Sequence, residues 1–131
     1  MNRRLWRKLG RWAVVATLLA ASNVLAHHSG AAYDGGKTLK LEGAVESWKF
    51  VNPHSSLQMQ ADDGAGQTIT WSFEANPAGM LTQLGYRRNT FTPAAKVTVF
   101  YNPMKDGRPG GGRLVGAILS DGSTVGQVPA P

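Results

Sequence analysis

Residues 68–85 read TITWSFEANPAGMLTQLG and contain a strand pattern followed directly by a helix pattern. In the first half, large apolar residues alternate with hydroxyl residues. The apolar positions are Ile69, Trp71 and Phe73. An alternation with period two predicts a strand with one buried face, here from Thr68 to Glu74.

The second half of the stretch carries the signals of helix boundaries. Asn76-Pro77 predicts an N-cap residue followed by proline at the first helical position. Gly85 stands where a helix C-cap glycine belongs, and the apolar residues between these signals are Met80, Leu81 and Leu84. We therefore expect a helix of about two turns directly after the strand.

Two further strands are predicted before this stretch. Residues 38–51 alternate between apolar and charged positions, which predicts a long half-buried strand in which Gly43 marks a bulge or a bend. Asn52-Pro53 ends that strand. Residues 55–61 alternate again, and the acidic, glycine-containing residues 62–66 predict a hairpin loop that leads into Thr68.

Two more strands are predicted after the helix. Residues 96–101 and 113–119 have the apolar pattern of strands, and residues 102–112 between them form a loop of Pro, Gly and charge. Asp121-Gly122 predicts a turn. The tail, residues 126–131, is expected to be disordered.

Five strands with one short helix between the third and the fourth are the order of the oligonucleotide/oligosaccharide-binding (OB) barrel. We predict an all-β fold with a small α insertion, a five-stranded OB-like barrel that forms a single domain over residues 38–125. A long first strand that can bend suits such a barrel, because it must turn a corner. An open β-sandwich of similar size is the alternative.

Residues 1–26 have the pattern of a secretory signal peptide. A basic start precedes the apolar residues 12–21, and Val24-Leu25-Ala26 supplies short residues at a cleavage site. Cleavage after Ala26 places the protein in the bacterial periplasm or outside the cell and leaves residues 27–37 as an irregular N-terminal arm. General secretion, twin-arginine export and a permanent membrane anchor remain alternatives for this segment.

The composition excludes several classes of function. The chain has 131 residues, no Cys and a formal charge of +6, but five of its 14 basic residues lie in the leader. The remainder is nearly neutral, which argues against nucleic acid as a partner. Without Cys there is no thiolate catalysis and no Cys-ligated metal. An unidentified protein or small molecule is the expected partner, and no membrane contact is expected after cleavage.

The three histidines predict a metal site. Cleavage would make His27 the first residue, so that its amine and its imidazole could chelate one metal ion, and His54 ends the segment Phe50-Val51-Asn52-Pro53-His54. Amine and imidazole nitrogens favour Cu(II) among common divalent ions. His28 offers a second route to copper through the amine and an intervening amide. Alternatively, the leading histidines are simply solvated, His54 is a turn residue bonded to a backbone carbonyl, and no cofactor is bound.

A non-catalytic binding module is the alternative function, with a ligand or protein partner held on a face of the barrel. The candidate ligand-binding residues are Trp48, Trp71, Glu74 and Tyr86. Glu74 lies on the polar side of its strand, where it is also placed to meet solvent or to pair with Arg87 or Arg88. No residue is assigned as catalytic, because no nucleophile or acid–base motif is present.

Several motifs carry a resemblance that covers the chain after the leader. They are His27-His28-Ser29, Phe50 to His54, Trp71-x-Phe-Glu74, Leu-Gly-aromatic at 84–86, Lys105-Asp106-Gly107 and Asp121-Gly122. In these motifs, the chain resembles a family of small secreted bacterial proteins of unknown function. The resemblance implies an exported small β-barrel and no particular activity or cofactor. Pro93-Ala94-Ala95 replaces the family's usual Pro-Gly-Asp turn, so that turn must be made differently.

Overall fold

A computed structural model describes residues 28–130, so the predicted leader and His27 lie outside the described residues. The chain divides into two compact units, Met1–Ala32 and Tyr33–Pro131. In the first unit the described residues form one helical turn, α1 (His28–Ala31), within what was expected to be an irregular arm. Over residues 28–130, no helix is both long enough and apolar enough to cross a bilayer.

The second unit is a closed β-barrel with one short helix. Its elements are β1 (Leu39–Lys49), β2 (Ser55–Asp62), β3 (Thr68–Ala75), α2 (Ala78–Gln83), β4 (Lys96–Pro103), β5 (Gly111–Ile118) and β6 (Thr124–Gly126). The sheet order is β3-β2-β1-β4-β5-β6, and a parallel pairing of β3 with β5 closes it. The predicted five-stranded OB-like barrel is confirmed, and closure through β3 and β5 rules out the open sandwich.

Strand β1 turns the corner of the barrel. Its first half, Leu39 to Ala44, pairs with β4, and its second half, from Ala44, pairs with β2. A Cβ on Gly43 would collide with the carbonyl oxygen of Gln60, so only glycine allows the two strands to approach here. The bend therefore lies where Gly43 predicted it, whereas the bulge comes later, between Val45 and Ser47.

The barrel interior is filled by the inward-facing residues of every strand. Leu57, Met59, Phe73 and Val99 are fully buried. The aromatic rings form two groups, one of Trp48, Phe50, Tyr86 and Phe91, the other of Trp71, Phe73 and Tyr101. The period-two alternation in the sequence thus marks the core correctly, because each strand has one face inside a closed barrel.

Helix α2 begins one residue later than predicted. Pro77 is the N-cap residue and has no side-chain cap. The prediction of Asn76 as the cap was wrong, because its amide oxygen accepts a hydrogen bond from Arg113 at 2.7 Å instead. At the other end Gly85 has φ +90°, and the amide groups of Gly85 and Tyr86 bond back into the helix, as the C-cap glycine predicted.

The β4–β5 hairpin is longer than its sequence pattern predicts. β4 continues to Pro103 and β5 begins at Gly111, because Asn102 and Pro103 still pair with Arg113 and Gly112. The short strand β6 was not predicted. Order also extends into the predicted disordered tail, since Gly126 ends β6 and the amide of Gln127 donates to Val115.

The turn before β4 is made without glycine. Ala94 has φ +68°, and the amide of Ala95 donates to the carbonyl of Thr92 at 3.1 Å. With Pro93 at the second position, these features define a type II turn, which requires positive φ at its third residue. Ala94 therefore occupies a backbone conformation that normally favours glycine.

Candidate functional site

His54 is carried by a short connection that a buried serine holds closed. The connection contains the cis peptide bond Asn52-Pro53 and joins β1 to β2. Ser55 is completely buried; its hydroxyl donates to the carbonyl of Val51 and accepts from the amide of Val51, at 3.0 and 3.1 Å. These two hydrogen bonds tie Ser55 to Val51 and so hold the backbone of His54, which lies between them.

Glu74 lies on the seam where the barrel closes. It pairs with Ser56 on one side and with Arg113 on the other. His54 Nδ1 lies 3.1 Å from Glu74 Oε1, with half of the imidazole exposed. The predicted pairing of Glu74 with Arg87 or Arg88 is not what the structure contains.

The guanidinium of Arg87 bonds to backbone carbonyls near the end of α2 and not to Glu74. Its Nη1 donates to the carbonyl groups of Thr82 and Tyr86, at 2.9 and 2.7 Å. These two carbonyls lie at the C-terminal end of α2, where a cation also interacts favourably with the helix dipole. Arg87 therefore stabilises the helix end, and Glu74 is left for the residues at the barrel seam.

Tyr33 approaches the same carboxylate from the segment before β1. Its hydroxyl donates to Glu74 Oε2 at 3.0 Å. The backbone of Tyr33 forms a β-bridge with Met104, next to the end of β4. Burial, the charge of Glu74 and the hydrogen bond to it raise the pKa of Tyr33 to about 12, against an opposing effect of Arg113. The phenol is therefore a proton donor at every physiological pH.

The cluster of Tyr33, His54, Glu74, Asn76 and Arg113 is named here the seam cluster. Its members come from two strands, β3 and β5, and from three segments outside the strands, which meet at the seam where β3 and β5 pair. Arg113 holds Asn76 by its guanidinium, and Glu74 holds His54 and Tyr33 by its two oxygens. The cluster is a preorganised polar site at the barrel surface rather than a set of independent solvated side chains.

The contact with Glu74 determines what His54 can do. A carboxylate only accepts hydrogen bonds, so a ring nitrogen 3.1 Å from it carries the proton. In the neutral imidazole, Nε2 is then the atom with the free lone pair. Metal-binding histidines commonly have this arrangement, in which the second ring nitrogen donates to a carboxylate. In that form, Nε2 of His54 has a lone pair with which it could bind a metal ion or accept a proton.

The predicted metal ligands are only partly described. His27 lies outside the described residues, and His28 is the first residue of α1. Within residues 28–130, no three His, Asp or Glu side chains converge as a metal-binding group. His54 could therefore supply one ligand, and the other nitrogens of the predicted copper site would have to come from the N-terminal residues.

The predicted ligand-binding aromatics do not lie together. Tyr86 is only 1% exposed and Trp71 5%, so both rings belong to the packed interior. Trp48 is half-buried, and its indole nitrogen donates to the carbonyl of Arg87 at 3.0 Å. Trp48 contacts Tyr86, whereas Trp71 packs against Phe73 in the second aromatic group.

A groove elsewhere on the barrel contains none of the predicted site residues. It measures about 460 Å³ and lies where β1 and β4 meet the residues after β5. Its charged lining residues are Glu42 and Lys96. The groove is open to solvent and shares no residue with the seam cluster.

Three members of the seam cluster were not predicted as site residues. Asn76 was predicted only as a helix cap, and Tyr33 and Arg113 stand in segments without a recognisable motif. Arg113 could have been found, because an OB-like strand order places β5 beside β3 and thus a cation near Glu74. Tyr33 could not, since the glycine-rich segment around it has no periodicity that predicts where it docks.

The fold and the seam cluster together define a small closed β-barrel with a polar surface site around a histidine–glutamate pair. A model described as a family of unknown function, DUF6152, matches residues 14–113, well over half of the chain. The chain belongs to this family. The matched range includes every residue of the seam cluster. Neither the comparison with curated proteins nor that with solved structures produced a match.

Proposed function

We propose that this protein is an exported metal-binding β-barrel that holds Cu(II) between the mature N-terminal residue and His54. The amine and the ring of His27 supply two nitrogens, and Nε2 of His54 supplies a third. Imidazole and amine ligands favour Cu(II) over other common divalent ions. His28 offers an alternative third nitrogen for the same ion.

The contact between His54 and Glu74 carries the proposal. Glu74 Oε1 lies 3.1 Å from Nδ1, so in the neutral imidazole Nε2 is the nitrogen that offers a lone pair, on a ring that is half exposed. A carboxylate behind a metal-binding imidazole orients the ring and raises its basicity.

The length of the chain before Tyr33 supports the participation of His27. Tyr33 bonds to the same carboxylate that His54 contacts. His27 precedes Tyr33 by only six residues. Six residues span at most about 20 Å, and less where some of them are helical. The covalent chain thus allows the N-terminal nitrogens to reach His54.

Export into the periplasm or the medium is part of the proposal. The sequence supports it through the basic and apolar pattern of residues 1–26 and the short residues before His27. Cleavage directly before His27 is essential, because the amine of any earlier residue would be separated from the His27 ring. The intact mass of the protein recovered from the periplasm of an expressing bacterium tests this requirement.

Copper titration of protein that begins at His27 tests the site. We expect the electron paramagnetic resonance spectrum of the Cu(II) protein to show three coordinating nitrogens, and His54→Ala to lose one of them. The matched control is His28→Ala, which should leave the three-nitrogen spectrum unchanged. Acetylation of the terminal amine of His27 should abolish the chelate and weaken binding by about tenfold or more.

Two results would overturn the proposal. One is a spectrum that is identical in the unmodified protein and in His54→Ala, which would remove His54 from the site. The other is a Cu(II) affinity that does not change when the terminal amine of His27 is acetylated. Loss of one nitrogen in His28→Ala rather than in His54→Ala would assign copper to the N-terminal segment alone.

A further inference from the structure

Three exposed apolar side chains lie at the end of the barrel that carries α2. Val51 is 46% exposed, Met80 54% and Leu84 39%. Met80 and Leu84 are four residues apart, which places them on one side of α2 and of its C-cap. The amide of Ala78 donates to the carbonyl of Val51 at 3.3 Å, so the β1–β2 connection lies against the start of the same helix. We name Val51, Met80 and Leu84 the α2 patch.

The packing of the barrel does not require the α2 patch to be apolar. Leu81 is the buried residue of α2 and attaches the helix to the core. Met80 and Leu84 lie on a different side of the helix and remain in contact with solvent. Three large apolar side chains that are exposed at one end of a small domain are typical of an interaction surface.

The surface around the α2 patch is basic. Residues 47–54 and 75–95, which form this end of the barrel, contain no Asp or Glu, and their Lys and Arg residues are Lys49, Arg87 and Arg88. The carboxylates that border these segments, Glu46 and Glu74, accept hydrogen bonds from other side chains of the barrel. The α2 patch is therefore surrounded by positive charge.

The charge of Arg87 is fixed close to the α2 patch. Its Nη1 donates to the carbonyls of Thr82 and Tyr86, which stand two positions before and after Leu84 in the sequence. The indole nitrogen of Trp48 donates to the backbone carbonyl of Arg87 at 3.0 Å. This contact holds the arginine segment against the end of β1, so the cation and the apolar side chains belong to one surface.

We propose that the α2 patch binds the anionic surface of a phospholipid bilayer. Apolar side chains enter the boundary between headgroups and acyl chains, while arginines attract anionic headgroups. A second copy of the chain does not fit, because it would bring the arginines of both copies together. The proposal does not depend on the copper site.

A bound peptide or helix is disfavoured, because such partners bury their apolar residues in grooves. The groove lined by Glu42 and Lys96 and a smaller one lined by Met104 and Arg108 both lie elsewhere on the barrel. Membrane binding differs from the expectation drawn from the sequence, which was no membrane contact after cleavage. The difference arises because the side of α2 that faces solvent is decided by how the helix docks.

Co-sedimentation with phospholipid vesicles tests the proposal. The protein without its predicted leader and without added metal is mixed with vesicles of phosphatidylglycerol and phosphatidylcholine in equal parts, and with vesicles of phosphatidylcholine alone. The variants are Arg88→Glu and the double substitution Met80→Gln with Leu84→Gln. The matched controls, Leu39→Gln and Lys105→Glu, change an exposed apolar residue and an exposed cation at the opposite end of the barrel. Circular dichroism verifies the fold of each protein.

We expect the unmodified protein to bind the mixed vesicles, more weakly as the salt concentration rises, and not to bind phosphatidylcholine alone. Arg88→Glu and the double variant should each reduce the binding constant by about tenfold, whereas the two controls should leave it unchanged. Equal binding to both kinds of vesicle, or an equal loss in the controls, would overturn the proposal. So would an absence of vesicle binding, which would assign the α2 patch to a protein with an acidic surface instead.

Discussion

Ala94 shows how a single residue can depart from what its turn requires. The type II turn before β4 needs positive φ at its third position, and Ala94 adopts φ +68° there. Among the described residues it is the sole non-glycine residue with positive φ. A side chain in this region clashes with its own backbone, at a cost of about 1–2 kcal/mol.

Replacement of Ala94 by glycine should therefore stabilise the protein. We expect Ala94→Gly to raise the free energy of unfolding by about 1 kcal/mol, because glycine relieves the strain and loses somewhat more entropy on folding. Urea denaturation monitored by circular dichroism measures the change. The neighbouring Ala95→Gly, which changes a partly buried residue with ordinary φ, should lower stability instead. A lower stability of Ala94→Gly would contradict the assignment of strain.

Glu74 shows what sequence reasoning can and cannot provide for one residue. The alternation through Trp71 and Phe73 correctly places Glu74 on the polar side of its strand. Its partners were predicted to be arginines nearby in the chain, and they are instead His54 and Tyr33. The contact with Tyr33 spans 41 positions in the sequence, and no local pattern encodes a pairing of that length.

Strand β1 is the element that most clearly depends on one small residue. It serves both halves of the barrel, and Gly43 lies next to the point where its partner changes from β4 to β2. A side chain here would meet the backbone of Gln60 and the Cβ of Ala61. Paired strands cannot move apart locally without loss of their hydrogen bonds. A side chain at position 43 would therefore be accommodated only at a cost in stability.

Two glycine-to-alanine substitutions should therefore have opposite effects. Gly43→Ala should lower the free energy of unfolding by about 1–3 kcal/mol through overpacking. Gly79→Ala, in the first turn of α2 with no atom near its added Cβ, should raise it by about 0.5 kcal/mol through helix propensity. Thermal and urea denaturation of both variants measure the difference. Equal effects of the two substitutions would refute the close approach at Gly43.

Helix α2 illustrates how tertiary contacts shift an element's boundary. The signals Asn76-Pro77 and Gly85 predict the helix at the right place and the right length. Its start moves by one residue, because the Asn76 side chain bonds to Arg113 rather than to the helix amides. Its C-terminal end agrees with the prediction, because positive φ at glycine is a local property that no distant contact has to supply.

The barrel as a whole shields the phenol of each tyrosine from solvent. Burial raises the pKa of Tyr86 and of Tyr101, and burial together with Glu74 raises that of Tyr33 to about 12. An unfolded chain exposes these phenols with a pKa of about 10. Between about pH 10 and pH 12, the Tyr33 phenol therefore keeps its proton in the folded state and has lost it in the unfolded state.

Stability should therefore decrease in alkali. For Tyr33 the contribution is fully present below about pH 10 and is lost as the pH rises through about 12. Urea denaturation at a series of pH values, with phenolate absorbance recorded in parallel, should show this slope. Tyr33→Phe should reduce the slope in that window. A free energy of unfolding that stays constant from neutral pH to pH 12 would contradict the burial of the phenols.

The sequence by itself determined the order of the strands, the inward and outward faces of each, the helix between β3 and β4, and hence the barrel class. These features follow from local periodicity and from turn residues, whose energetics act over a few neighbours. Only the tertiary structure decided the seam cluster. Closure of β3 onto β5 brings Glu74 beside Arg113, and contacts between residues far apart in the sequence add His54 and Tyr33. The physical reason is that a polar side chain in a folded barrel bonds to the partner that the topology places within hydrogen-bonding distance.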